Sequence, residues 1–139
     1  GFNVQAMVPR GQARQLIVGV ASDPLFGPLI IFGEGGRAVE VYRDMSVGLP
    51  PLNMPLAHDL IGRSRAAALL ESHHGYPAAD REAIALVLTK ISQLLIDLPQ
   101  IVELDINPFL AAPKGRGKAV DARIRVGAIP SASFAPLAR

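Results

Sequence analysis

The chain has 139 residues, 50% of them hydrophobic and 19% charged; that is enough apolar material for one domain burying about two-thirds of its unfolded surface, and it excludes the high-charge composition of disordered chains. Fourteen Lys and Arg against twelve Asp and Glu leave a net charge of only +2, which argues against nucleic acid as a partner. Cysteine is absent, so disulfides, thiolate metal sites and cysteine nucleophiles are excluded; no apolar run nears the roughly 20 residues of a membrane span, and the expected location is the cytoplasm.

The chain opens at Gly1 without an initiator Met, in what reads as a strand. This points to a piece of a longer protein, with one domain over residues 1–127 and a linker or tail of Pro/Ser composition over 128–139. Strands are expected at Phe2–Val8, Gln15–Val20, Leu29–Phe32 and Ala38–Tyr42, separated by Pro9-Arg10-Gly11, Asp23-Pro24, Gly27-Pro28 and Gly33-Glu34-Gly35-Gly36, at the spacing of an antiparallel meander. Pro50-Pro51 ends the strand region. Asn53 then caps a short helix running to about Gly62, with Pro55 tolerated in its first turn.

A long helix is predicted over Ala79–Leu98, where Ile84, Val87, Leu88, Ile91, Leu94, Leu95 and Leu98 recur at the spacing of one buried face. Asp80 and Glu82 favour its N-terminal dipole, and Pro99 stops it. Two strands follow, Ile101–Leu110 and Lys118–Val126, joined as a hairpin by Pro113-Lys114-Gly115-Arg116-Gly117. This order of elements fits an α+β domain, an antiparallel sheet with helices on one side. Met7, Met45 and Met54 are expected as core filler.

The hairpin carries the chemistry. Alternation places Glu103, Asp105 and Asn107 on one face, while Val102, Leu104 and Ile106 enter the core. In the partner strand Asp121, Arg123 and Arg125 share a face, with Val120, Ala122, Ile124 and Val126 on the other. Folding about Lys114 makes Asn107 and Asp121 cross-strand neighbours ~5 Å apart. An amide oxygen and a carboxylate at that separation suit Mg²⁺, which takes hard oxygen ligands and is completed by phosphates. The alternative is a solvated strand face whose acids pair with Arg123 and Arg125. Gly33, Gly35 and Gly36 follow an apolar strand and could bring backbone N–H groups to phosphates, or they could simply form a hairpin turn. No helix follows them, so they are not a dinucleotide fingerprint.

The segments Asp23-Pro24-Leu25-Phe26-Gly27-Pro28, Phe32-Gly33-Glu34-Gly35-Gly36, Glu103-Leu104-Asp105-Ile106-Asn107-Pro108 and Asp121-Ala122-Arg123-Ile124, in this order, resemble the C-terminal part of the ATP-grasp domain of NDP-forming acyl-CoA synthetases. The likeness covers nearly the whole chain. It implies the C-terminal lobe of an ATP-grasp fold that binds ATP or ADP with Mg²⁺, in which Asn107 and Asp121 hold the metal, Glu103 and Asp105 support it and Gly33, Gly35 and Gly36 lie near the phosphates. The reaction implied is acid, CoA and ATP interconverting with acyl-CoA, ADP and phosphate through a phosphohistidine on another domain. The partners implied are an N-terminal ATP-grasp lobe and a CoA-binding domain, so no catalytic residue is expected in this piece alone.

Leu49-Pro50-Pro51-Leu52-Asn53, Ser92-Gln93-Leu94 and Asp121-Ala122-Arg123-Ile124-Arg125-Val126 are closer to the branch fused to a GNAT-type protein lysine acetyltransferase, where the synthetase region can act as a regulator. Gly48 and Gln15 stand where active synthetases commonly carry Arg and Glu. His73 and His74 are read as exposed loop residues, a pair without an identified carboxylate orienter of the kind nucleophilic work requires, and His58, in a short helix beside Asp59, as a surface or capping residue. Arg63 and Arg65 are read as solvated or paired, and Arg43-Asp44 as an ion pair at a turn.

Overall fold

The computed structural model describes residues 1–7, 11, 13–36 and 45–128. In chain order these hold β1 (Arg14–Asp23), β2 (Gly27–Glu34), β3 (Ser46–Gly48), α1 (Met54–Arg63), α2 (Ala66–Leu69), α3 (Arg81–Asp97), β4 (Ile101–Ala111), β5 (Lys118–Ala119) and β6 (Ala122–Val126). The strands form one antiparallel sheet in the order β3-β2-β1-β4-β5, with β6 also paired to β4. The α+β architecture is therefore as expected.

Leu16, Val18 and Val20 of β1 and Ile30 and Phe32 of β2 point to one face of the sheet. There they meet Ala57, Leu60 and Ile61 of α1 and Ile84, Ala85, Leu88, Ile91 and Leu95 of α3 in a single buried cluster. The 3.6-residue spacing of α3 is what makes this possible, because it keeps one apolar stripe toward the sheet. Val87 and Leu94 pack at its margin, but Leu98 lies past the helix end and is 40% exposed.

Both helix starts follow their sequence signals. The Asn53 side chain accepts from the Leu56 N–H at 3.0 Å and the Asp80 side chain from the Ala83 N–H at 2.9 Å, so each satisfies an otherwise orphan donor. The buried Ser92 hydroxyl accepts the Leu52 N–H at 2.7 Å, pinning the approach to α1 against α3. Among the described residues no helix is long and apolar enough to cross a membrane.

Several expectations are corrected. Gly1–Met7 is not a strand, and Phe2, Val4 and Met7 are almost fully exposed; extended propensity makes a strand only where an edge accepts its hydrogen bonds. Met7 is thus not core filler, whereas Met54 packs against the core. Ala38–Tyr42, Arg43-Asp44 and the tail beyond Ala128 lie outside the described residues. The short β3 and the one-turn α2 add to the expected elements. In β4 a register irregularity between Ile101 and Glu103 gives the core position to Ile101 rather than Val102. The apolar side of β6 is not buried: Ile124 and Val126 are 57% and 65% exposed, and among the described residues no helix covers this edge.

Candidate functional site

The β4–β6 hairpin keeps the register that places Asn107 beside Asp121. Glu103 faces Arg125, Leu104 faces Ile124, Asp105 faces Arg123 and Ile106 faces Ala122. The connection from Ala111 to Lys118 turns at Lys114 (φ 56°) and Gly115 (φ 66°), where the Arg116 N–H donates to the Pro113 carbonyl at 3.3 Å. Where β4 runs past Leu16 and Val18 of β1 it carries one extra residue, at Asn107-Pro108. Such a bulge re-aims side chains. The Asn107 N–H donates to the Asp121 carbonyl at 3.2 Å and the Val120 N–H to the Pro108 carbonyl at 3.1 Å, so the two strands are tied at the bulge itself.

The glycine turn reaches the same place from the other side of β1. Gly33 is paired with Ile17. The Gly35 N–H donates to the Gln15 carbonyl at 2.9 Å. The Gly36 N–H donates to Asn107 Oδ1 at 3.0 Å, linking two segments 71 positions apart in the chain. A Cβ on Gly35 would lie 2.4 Å from the Leu16 carbonyl carbon and oxygen, and one on Gly36 (φ 79°) would lie 2.5 Å from Gln15 Oε1. Gly35 is required for close approach to backbone, whereas at Gly36 the Gln15 tip could give way and it is the positive φ that favours glycine. The N–H groups of Gly35 and Gly36 are engaged within the fold, so what the turn offers a ligand is a backbone surface free of side chains.

The acids divide. Glu103 is held in a fork by Arg125, with Nε to Oε2 at 2.9 Å and Nη2 to Oε1 at 2.7 Å. The hydrogen bond from Arg125 holds the Glu103 carboxyl below its ordinary range, and the same contact raises Arg125. Asp105 is exposed, opposite Gly19 on one side and Arg123 on the other. Asp121 is 58% exposed, its Oδ2 lying 3.9 Å from Arg123 Nε. Among the described residues no three His, Cys, Asp or Glu side chains gather as a metal cage. The donor set at the bulge is instead one amide oxygen, with a lone pair beyond the one Gly36 uses, and one carboxylate. That set fits a hard divalent cation which keeps several waters.

The Glu103–Arg125 pair carries a pH signature. A carboxyl depressed by folding contributes stability that is present at neutral pH and is lost as pH falls through its folded value. Glu103→Gln should therefore melt slightly below wild type at pH 7, and the difference should vanish in acid. A difference in melting temperature that stays constant down to pH 2 would remove this account.

Other tempting residues have local explanations. His58 Nε2 lies 2.7 Å from Glu82 Oε2, joining α1 to α3. Arg63 bonds Asp59 at 2.9 Å and the Val47 carbonyl at 3.0 Å. His73 and His74 sit exposed in a tight turn with positive φ at His74 and Gly75. Gln15 is the site residue whose part the sequence did not disclose: its carbonyl and carboxamide both abut the glycine turn.

A sheet with helices on one face, joined to a glycine turn and an acidic hairpin on an adjoining strand, defines the class. The ATP-grasp domain model matches residues 1–126, and the chain belongs to that family. It is 39% identical over 127 residues to the ADP-forming acetate–CoA ligase I of Archaeoglobus fulgidus, covering 91% of this chain and 18% of that protein. It is 37% identical over 124 residues to the beta subunit of the ADP-forming acetate–CoA ligase I of Pyrococcus furiosus, covering 89% and 52%. The acetyl-coenzyme A synthetase 1 of Ca. Korarchaeum cryptofilum, in complex with coenzyme A and Mg-AMPPCP and with its phosphohistidine segment pointing towards the nucleotide binding site, superposes with a TM-score of 0.76. It is 40% identical, over 82% of this chain and 53% of that one. The chain thus spans between a fifth and about half of these relatives.

Proposed function

We propose that this chain is the Mg²⁺–nucleotide lobe of an ADP-forming acyl-CoA synthetase. The reaction interconverts acid, CoA and ATP with acyl-CoA, ADP and phosphate, and the lobe catalyses nothing alone. Asn107 and Asp121 hold the cation, whose chemistry when bound is to neutralise phosphate charge. Asp105 supports it from the same face. Glu103 supports it at one remove, by fixing Arg125 and the hairpin. Gly33, Gly35 and Gly36 form the bare floor under the phosphates. The observation that carries this reading is the Gly36 N–H bond to Asn107 Oδ1, which joins the phosphate floor to the metal ligand beside Asp121. The relatives named above act with coenzyme A, and one binds Mg-AMPPCP. An N-terminal ATP-grasp lobe and a CoA-binding domain complete the enzyme.

In the complete protein, Asp121→Asn should lower ATP-dependent acyl-CoA formation at least about tenfold while the melting temperature holds. Unchanged turnover would remove the metal assignment. The GNAT-fused alternative, with this lobe as a regulator, rests on the residues 49–53, 92–94 and 121–126 noted above. Incubation with γ-labelled ATP and magnesium separates the two. Acid-labile label discharged by ADP marks a synthetase; no label, in protein that still acetylates lysines, marks a regulator.

A further inference from the structure

Two arginines on β6 lie two residues apart on the face that carries the acids, yet they are held differently. Arg125 is locked in the two-bond fork with Glu103. Arg123 faces Asp105 across the strands, but its nearest ion-pair partner is Asp121, at 3.9 Å, and its side chain is 82% exposed. That separation exceeds a hydrogen bond, so the attraction is electrostatic and fixes no geometry. The guanidinium is a charged arm beside the site, restrained by a carboxylate that the cation would claim.

The charges decide what this arm can do. Arg125 is committed to Glu103, which leaves Arg123, among the described residues of β6, as the cation beside Asp105 and Asp121. A polyphosphate brought to that face meets two carboxylates. If a divalent cation takes Asp121, the guanidinium loses its counter-ion at the moment phosphate oxygens arrive, and its planar donors match them.

Building on the nucleotide-lobe reading above, we propose that Arg123 is the exchangeable counter-ion of the site. It neutralises Asp121 before the cation binds and turns to a nucleotide phosphate once the cation has taken Asp121. Arg123 thereby opposes binding of the bare cation and favours binding of the cation–nucleotide pair, which couples the two.

The two effects have opposite signs, which a structural role would not produce. In the complete protein, Arg123→Gln should tighten Mn²⁺ binding without nucleotide about threefold, read by the EPR signal of free Mn²⁺. The same variant should weaken Mg·ADP binding about tenfold by calorimetry. Arg123→Lys keeps the charge and loses the fork, so it should fall between Arg123→Gln and wild type for Mg·ADP. Loss of both affinities together with a lowered melting temperature would make Arg123 a structural residue and overturn the proposal, as would two unchanged affinities in a variant of wild-type stability. If wild type itself binds no Mg·ADP and matches Asp121→Asn, the nucleotide-lobe reading fails. Binding in wild type with no response to Arg123→Gln overturns the exchange alone.

Discussion

Phe32→Ala is expected to destabilise the 139-residue chain by about 3–5 kcal/mol, a large part of the roughly 5–15 kcal/mol that holds a domain together. Phe32 is fully buried. It faces Val18 across the β1–β2 ladder and joins the cluster that α1 and α3 cover. Truncation forfeits the transfer of the ring from water and leaves a cavity that two strands and two helices cannot close together. Urea unfolding should show a lower midpoint with an unchanged slope. Phe26→Ala is the control, because Phe26 is 61% exposed at the β1–β2 loop and should change stability by no more than about 0.5 kcal/mol. Equal shifts for the two variants would mean that the sheet does not pack on the helices as described.

The contrast between those phenylalanines also shows what a sequence discloses. Phe32 lies in an apolar run and Phe26 follows Asp23-Pro24; the Asp23 side chain accepts from the Leu25 and Phe26 N–H groups at 2.8 and 2.9 Å, so the loop is built by a local rule. The same is true of α3, whose period and N-cap are local, and of the β4–β6 register, which alternation and a turn centred on Lys114 determine between them. Local rules fail where a partner is required. The apolar residues of Gly1–Met7 read as a strand, but no described strand pairs with them. Those of β6 read as a buried face, but burial depends on whether a helix reaches that edge. The juxtaposition of Asn107 and Asp121 was legible from alternation across the hairpin; the meeting of the glycine turn with Asn107, and the part of Gln15 in it, were not. The bond from Gly36 to Asn107 spans 71 positions and depends on β1 lying between the two segments. The Glu103–Arg125 fork was legible as one of two alternatives. Only the structure separates Glu103, which is paired, from Asp105, which is not in an ion pair among the described residues.

Gly35→Ala should have an effect out of proportion to the single methyl group it adds. The new Cβ would meet backbone on β1, 2.4 Å from the Leu16 carbonyl carbon and oxygen and 2.9 Å from the Ile17 nitrogen, and backbone in a paired strand cannot swing aside as a side-chain tip can. Relief requires the turn to lift off β1. That breaks the Gly35–Gln15 bond and draws Gly36 away from Asn107. Overpacking of this kind costs about 1–3 kcal/mol, and the lost hydrogen bonds add roughly 1 kcal/mol each. Gly75→Ala is the opposite case, a conformational cost without a steric one: Gly75 has φ 81° and nothing within 4 Å of its added Cβ, so its penalty is only the roughly 1–2 kcal/mol of a left-handed backbone. Asparagine, which tolerates that conformation, should recover much of the loss at position 75 and none at position 35. Calorimetric titration of the complete protein with Mg·ADP then separates stability from function. Gly75→Ala should bind as wild type does, while Gly35→Ala should lose more than about tenfold in affinity because the glycine turn parts from Asn107, the proposed metal ligand. Wild-type affinity in a folded Gly35→Ala protein would detach the glycine turn from the nucleotide site.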